Sequence, residues 1–466
     1  MGSVVGGGAA ADDATPGGAS NSGGTKKGTT NSTNSATNSA ANGATNDTAK
    51  AKAEAVLVLL NLPVPDDQRA WSQAEALRDD GVAVTVVCPA IHDIAPGTKR
   101  IDGIDVVYYA SFEGNGKLAT VLEGVWTATS AARAARRALA PMRGAPRTLQ
   151  VGNPPDLLFG LLRWARRRGC TTVYDQRDAA PELAASRAGF DRLGRLFLAC
   201  ERRMVAAADV VLVPSGEQAA RLRRIYDRDS VMVRTAAVTA PVAAPADAAN
   251  DASADAAATD AIAADAATAP QDAKKDDAET VLGYLGVIGE QDGVGDLIDA
   301  VDLLRGRGVT GFRVEIAGDG PALPEARRRA EQLGLDGLVH FRGWLGRGEV
   351  DAFLGELDAM LVPDPDVAFN HYCAMNKVTH AMARAVPVVL RPLRENTALV
   401  DGHGILARDM SLPAFADAIA ELLALPAAER ASTGARLREV FDRELDWSQS
   451  GRRYVDAASP LRARRS

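Results

Sequence analysis

Twice along this 466-residue chain, short apolar runs alternate with longer amphipathic stretches, and that rhythm points to a parallel sheet covered on both faces. Parallel neighbours cannot be joined by tight hairpins, so each strand is expected to lead into a helix that packs back on the sheet. In the first series the expected strands are Ala55–Leu60, Ala83–Cys88, Asp105–Tyr109, Thr148–Val151, Thr171–Tyr174 and Asp209–Val213. In the second they are Val281–Ile288, Phe312–Ala317, Leu338–Phe341, Ala359–Val362 and Val386–Leu390. The fold class is therefore α/β, two Rossmann-like doubly wound domains in tandem, facing across a cleft.

Two stretches stand outside this rhythm. Residues 1–52 are Gly, Ser, Thr, Asn and Ala with hardly a large apolar side chain, and residues 242–279 have Ala at 18 of 38 positions. Neither can bury enough apolar surface to offset the entropy of ordering. The expected organisation is a disordered low-complexity segment over 1–53 and a first domain over 54–241. An Ala/Asp-rich disordered linker follows over 242–279, then a second domain over 280–445 and a closing helix with a basic tail over 446–466. The first segment lacks the apolar core that a signal peptide requires.

The linker also accounts for the charge. It holds nine acids against two lysines, a balance of −7 equal to the formal net charge of the whole chain. The acidity thus belongs to a solvated linker, and it argues against a nucleic-acid partner. Cysteines 88, 170, 200 and 373 stand singly, without metal-ligand spacing, as reduced thiols of a cytosolic protein would. No run approaches the roughly 18 apolar residues of a membrane span, so the chain is expected to be soluble or peripheral. Arg133–Arg147 and Arg163–Arg168 concentrate basic charge on the first domain, which fits either a solvated helix face or docking on anionic lipid.

The richest segment is Asp358–Val389, an apolar run, a Pro/Asp turn, a polar loop, a helix expected to start near Tyr372, and a second apolar run. Polar residues gather there where a ligand would sit above strand ends. Neither series carries the GxGxxG of a dinucleotide site, which makes hydride chemistry a poor fit and leaves group transfer. Gly318-Asp319-Gly320-Pro321 reads equally as a ligand-facing loop or a tight turn. Asp364-Pro365-Asp366 contains a DxD but reads better as a proline-fixed turn than as a metal site. In the first domain Asp175, Arg177 and Asp178 follow a strand, with Glu182 nearby, and Arg177 could hold a phosphate or pair with its neighbouring acids. Asp67 and Arg69 follow the first strand, where they could face the cleft or simply cap a helix.

Asn61–Trp71, Asn153-Pro154-Pro155-Asp156, Tyr174–Asp178 with Pro181-Glu182, Gly283–Gly289 with Gln291-Asp292-Gly293, Gly318–Pro321, Pro363-Asp364-Pro365 and Met375-Asn376-Lys377 together resemble glycosyltransferase family 4 of the GT-B fold, in particular a bacterial branch active in polysaccharide and glycoconjugate synthesis. The resemblance covers about residues 55–450 apart from the linker. It implies a retaining hexosyltransferase-type enzyme that moves a sugar from a nucleotide-diphosphate donor on the second domain to an acceptor on the first. The acceptor would be a polysaccharide, a glycolipid or another lipid-linked sugar.

On this reading the donor is held by Gly289, Gln291, Asp292, Gly293, Gly318, Gly320, Asn370, Ala374, Met375, Lys377 and His380. Backbone amides around Ala374 and Met375, with Lys377 as the cation, would cradle the diphosphate. Lys377 reads equally as an ordinary helix lysine, and the Gly289–Gly293 loop as an ordinary turn. Asp175, Arg177, Asp178 and Glu182 would carry the chemistry, and Asp67 and Arg69 would meet the acceptor. Neither metal nor cofactor is expected. The family usually has Glu where this chain has His380, and an imidazole replaces only part of a carboxylate's grip on ribose hydroxyls. The alternatives are a catalytically silent GT-B subunit that binds a nucleotide sugar or a partner transferase, and a sugar-nucleotide epimerase. The implied location is the cytoplasm, with peripheral contact at the inner face of the membrane.

Overall fold

The computed structural model describes residues 53–91, 94–111, 117–140, 144–185, 194–235 and 279–462, with backbone alone for 117–123 and 347. The low-complexity segments expected over 1–53 and 242–279 lie outside the described residues except for Ala53 and Glu279, and so does the tail beyond 462. The described residues belong to one unit, Ala51–Ser466.

Its first lobe is a sheet of β1 (Glu54–Val58), β2 (Ala83–Ala90), β3 (Gly97–Ile101), β4 (Ile104–Ala110), β5 (Arg147–Gly152), β6 (Thr171–Asp175), β7 (Val210–Val213) and β8 (Val231–Met232), in the order β3-β4-β2-β1-β5-β6-β7-β8. All pairs are parallel except β3 with β4. The second lobe has β9 (Thr280–Leu285), β10 (Phe312–Ala317), β11 (Val339–Gly343), β12 (Ala359–Val362), β13 (Val388–Leu390) and β14 (Ile405–Leu406), all parallel, in the order β11-β10-β9-β12-β13-β14.

Burial explains which strands the sequence announces. The central strands are buried on both faces, as β1, β5, β6 and β12 show, because helices cover each side. β3 was not foreseen: Gly-Thr-Lys-Arg-Ile has four of its five residues exposed, so no apolar pattern marks it. Its signal is instead the Asp102-Gly103 pair, both with positive φ, which turns the chain back into β4. β8 and β14 have two residues each, too few for any periodicity.

The helix Trp447–Ala458 packs on the first lobe, although it follows the second in sequence. Tyr454 is fully buried with Leu57, Leu77 and Val86 and donates to Gln150 Oε1 at 2.9 Å, while Thr148 Oγ1 donates to the carbonyl of Ala458 at 2.8 Å.

Among the parallel strands of each sheet the order reverses once, between β1 and β5 and between β9 and β12. Loops leave the carboxyl ends of adjacent strands in opposite directions there, opening a crevice at each point. The first crevice is edged by Asp67, Asn153 and Arg177, and the second by Gly286–Gly293 and Pro363–Tyr372.

Candidate functional site

Asp175 ends β6 and is completely buried. Arg69 donates to it from Nε at 3.0 Å and Nη2 at 2.6 Å, and Gln73 from Nε2 at 3.2 Å. Arg69 and Gln73 lie one turn apart on the helix Gln68–Asp79, so both reach the strand end from one face. Burial pushes the Asp175 carboxyl up, yet the charge and bonds of Arg69, with Arg177 and Gln73, carry it below the usual value. Arg177 reaches Asp67 through Nη1, and Asp67 caps the same helix by accepting from the Ala70 amide at 3.0 Å. Asp67 and Arg69 therefore both cap or brace this helix and join the Arg177 network. With no exposed surface, Asp175 cannot meet a substrate; it positions the two arginines instead.

Asn153 and Gln73 complete this arrangement, and neither was among the sequence candidates. Asn153 Oδ1 accepts from the amides of Arg177 at 2.7 Å and Asp178 at 3.2 Å, and its Nδ2 donates to the Asp178 carbonyl at 2.9 Å. The signal for Gln73 was a polar residue on the apolar face of a helix. For Asn153 it was a polar side chain right after an apolar strand. Glu182 lies in a different network: Arg221 donates to it at 2.6 Å and to Glu201 at 2.7 Å, both from a fully buried guanidinium.

In the second lobe the two glycines of Gly318-Asp319-Gly320 are demanded by a close approach. A Cβ on Gly318 would lie 1.8 Å from the Gly286 carbonyl oxygen, and one on Gly320 would lie 2.5 Å from that of Ile288. The loop is stitched there by Gly286 N to the Ala317 carbonyl and Ile288 N to the Asp319 carbonyl, 3.0 and 2.9 Å. Gly293 has φ +70° and faces the Pro363 carbonyl at 2.5 Å from where its Cβ would be. Asn370, 2% exposed, donates to the carbonyls of Gln291 and Pro365 at 2.9 and 3.0 Å and so ties the two crevice loops together. Asp366 is bonded to His371 Nε2 at 2.7 Å within the turn.

The helix expected from Tyr372 begins later. Asn370–Tyr372 forms one tight turn, the chain extends through Cys373, and the helix proper is Asn376–Ala383. Met375 is its N-cap, and its amide already donates to Asn396 Oδ1 at 3.2 Å, so it is committed within the fold. Lys377 points inward. Its Nζ donates to both carboxylate oxygens of Asp364 at 2.9 and 3.0 Å and to Tyr284 OH at 3.3 Å, and it lies 4.5 Å from the Tyr284 ring centre. Burial works against the ammonium charge, but Asp364, Tyr284 and Asp292 outweigh it and hold Lys377 protonated. The Asp292 carboxylate accepts from Gly289 N at 3.1 Å; burial, helped by the charge of Asp364 and against that of Lys377, pushes its pKa up to about 6. The crevice therefore has an ammonium already matched by a carboxylate, with a second carboxylate beside it and the Arg391 guanidinium bonded to the Pro363 carbonyl at 2.9 Å.

His380 is held neutral, since burial pushes its pKa down to about 4, and the charge that reaches it is that of Asp351, which pairs with Arg384. Ala374 is half-buried and Asn376 exposed at the helix start.

Burial first, then the charges of Asp178, Asp364 and Asp292 against the pull of Lys377, push the Cys373 thiol well above the usual range. Tyr372 beside it fastens the lobes together. Ser215 Oγ donates to its carbonyl at 2.6 Å and Arg224 Nη2 to its hydroxyl at 3.2 Å, while the Arg221 and Arg394 guanidinium groups lie 5.9 and 5.3 Å from its ring centre. Arg394 pairs with Glu217 at 2.8 Å, and Arg234 with Glu395 at 2.8 Å. Among the described residues no three His, Cys, Asp or Glu side chains are grouped to hold a metal ion.

Residues 67–237 match the model of the glycosyl transferase 4-like domain, and residues 279–425 that of the glycosyl transferases group 1. Three solved structures are similar over nearly their whole length. Sucrose-phosphate synthase from Thermosynechococcus elongatus shares 15% identity at a TM-score of 0.62, covering 86% of this chain and 96% of that one. WaaG, a glycosyltransferase involved in lipopolysaccharide biosynthesis, shares 13% at 0.60, covering 87% and 99%. HepE of Anabaena, in complex with UDP, shares 13% at 0.57, covering 87% and 98%. None of the curated proteins compared matches the chain. At such identities the structural likeness is one of fold.

Proposed function

Because the chain belongs to the glycosyltransferases of the GT-B fold, we propose that it transfers a hexose, with retention, from a nucleoside-diphosphate sugar on the second lobe to a sugar or lipid-linked acceptor on the first. The observation that carries this reading is that Tyr372, at the edge of the second crevice, is bonded by Ser215 and Arg224 of the first lobe, which sets that crevice against the first lobe. Donor and acceptor would meet between the two. The UDP held by the Anabaena structure agrees with a nucleoside diphosphate as donor carrier.

In this reaction the bond from the anomeric carbon to the phosphate oxygen breaks, and the bonding pair leaves with the diphosphate. An acceptor hydroxyl attacks from the same face, and its proton passes to a donor phosphate oxygen. No protein nucleophile is required, so no covalent glycosyl-enzyme forms. The growing charge on the diphosphate is stabilised by Lys377, turned from Asp364 toward the phosphate, and by loop amides near Gly289–Gly293. Neutral His380 offers one donor and one acceptor, in place of a carboxylate, to the donor's ribose. Arg69 and Arg177, fixed by Asp175 and Asp67, brace the loop that presents Asp178 to the acceptor. Metal and cofactor have no part in the scheme, and the setting is the cytoplasmic side of a membrane.

Release of UDP or GDP from a panel of sugar nucleotides, in the presence of membrane extract, tests the proposal. Turnover with an axial product linkage supports it, and silence with every donor counts against it. One observation favours a second reading, a subunit that binds a nucleotide sugar without turning it over: the charge of Lys377 is already spent on Asp364. That reading expects thermal stabilisation by a sugar nucleotide with no nucleotide release.

A further inference from the structure

Three helices lie side by side on one face of the first sheet: Lys117–Leu139, Phe159–Arg166 and Gly194–Ala207, whose apolar sides share one core cluster. Their outer sides are basic. Arg133, Arg136 and Arg137 on the first, four arginines between 163 and 168, and three between 195 and 203 are all exposed. From residue 125 onward in these segments the acid is Glu201, and it is fully buried. Ten exposed arginines thus stand together on a chain whose formal net charge is −7, and one of them, Arg166, pairs with Asp209 just beyond the third helix at 3.0 Å.

The basic surface is continuous across the helices. Arg136 of the first lies 5.5 Å from the ring centre of Trp164 on the second, and Arg203 of the third lies 5.8 Å from that of Phe159 on the second. Apolar side chains stand out on the same helices, Val125 and Trp126 on the first and Leu196 and Leu198 on the third, at 52, 49, 58 and 40% exposure. Monomeric proteins seldom leave such residues beside so strongly basic a surface without a partner.

We propose that this three-helix face docks the protein on a bilayer containing anionic lipid. Arginine forks match phosphodiester oxygens, their long stems allow the charge to lie at headgroup level, and the exposed Trp and Leu side chains enter the acyl boundary. A nucleic-acid backbone offers the same phosphodiester chemistry. The faces of Trp164 and Phe159, which would have to stack on bases, are occupied by arginines, Arg168 at 4.2 Å and Arg163 at 5.7 Å, and four exposed aliphatic and aromatic groups gain nothing from a polar strand. Crossover helices run antiparallel to their strands, so the apolar side chains, all in the N-terminal halves of their helices, lie toward the carboxyl edge of the sheet, where the acceptor crevice opens. Docking would then bring that crevice to the membrane surface. The inference does not depend on the chain's catalytic activity.

The full chain is sedimented with vesicles of pure phosphatidylcholine and with vesicles containing about 30% phosphatidylglycerol, at low and high salt. The expected result is binding to the anionic vesicles alone, weakened by salt. It falls about tenfold or more in Arg133→Glu/Arg137→Glu/Arg167→Glu and by about threefold or more in Trp126→Ala/Leu196→Ser, with thermal midpoints near that of the parent. Quenching of tryptophan emission by brominated lipid, lost with Trp126→Ala, places that side chain in the bilayer. Failure to bind anionic vesicles, equal binding by the folded charge-reversal variant, or tighter binding of single-stranded RNA than of vesicles at matched salt overturns the proposal.

Discussion

Lys377 and Asp364 form a buried pair, 8 and 2% exposed, whose two bonds leave no charge uncompensated. Removing one partner strands the other in a low-dielectric site. Lys377→Met is therefore expected to cost about 3 to 5 kcal/mol, and Lys377→Met/Asp364→Leu to recover most of it, as denaturant melts would show. Equal melts for the single and double variants would contradict that coupling. Asp292 acts in the opposite sense. With its pKa raised to about 6 it is mostly charged at neutral pH and occupies an amide an anion would want. Binding of a UDP-sugar, whose own phosphodiester charges do not titrate there, should tighten as pH falls through about 6. Asp292→Asn should tighten it about threefold or more at pH 7.5 and flatten that dependence, as calorimetry would read. An unchanged pH profile in the variant would place the titration elsewhere.

The helix Asn376–Ala383 ends in an arrangement the sequence only half reveals. Val386 N bonds to the Ala381 carbonyl at 2.9 Å and Ala385 N to that of Met382 at 3.1 Å, a six-to-one and five-to-two closure that puts Ala385 at φ +54°. Glycine normally takes that place. A methyl group there is strained by about 1 to 2 kcal/mol, partly offset because alanine loses less entropy on folding. Ala385→Gly should accordingly raise stability by about 0.5 to 1 kcal/mol, whereas a loss would mean the alanine side chain has a packing role. A Val-rich run follows and marks roughly where this helix must stop; a stop at Ala385 read from that run is two residues late, since the helix ends at Ala383. The start of the helix was not legible: Asn370, His371 and Tyr372 look like a helix opening but are drawn off into a tight turn by Asn370's bonds to two neighbouring loops. The same contrast holds elsewhere. Central strands announce themselves by apolar runs, while edge strand β3 had only its Asp-Gly turn to betray it. Asp175, Arg177 and Glu182 were marked by polarity at a strand end, but sequence could not say that Asp175 would be sealed by Arg69 from 106 positions away. Partners of that kind are fixed by topology, and local pattern carries no trace of them.

Polar bonds run between the lobes: Ser215 to Tyr372, Glu217 to Arg394, and Glu395 to both Arg234 and the Glu217 amide, the last at 3.0 Å. Such seams open more readily than cores, which suits two lobes that must admit a substrate and then close. Glu395→Ala removes the acceptor shared by two of these contacts. Small-angle scattering of the ligand-free variant should show a larger radius of gyration than the parent, with the two lobes still folded by circular dichroism, and an identical radius would mean that the Tyr372 contacts and the Glu217–Arg394 pair suffice to keep the lobes shut.

The helix Trp447–Ala458 has a consequence for biosynthesis. Tyr454 fills the interior of the first lobe, yet it leaves the ribosome some three hundred positions after Thr148 and Gln150, the groups that its helix touches. For most of translation the amino-terminal half must wait with an unplugged hydrophobic slot, exposed to chaperones and to aggregation, until the final piece arrives. A ribosome stalled short of Trp447 would therefore carry a chain whose earliest half is still unfinished.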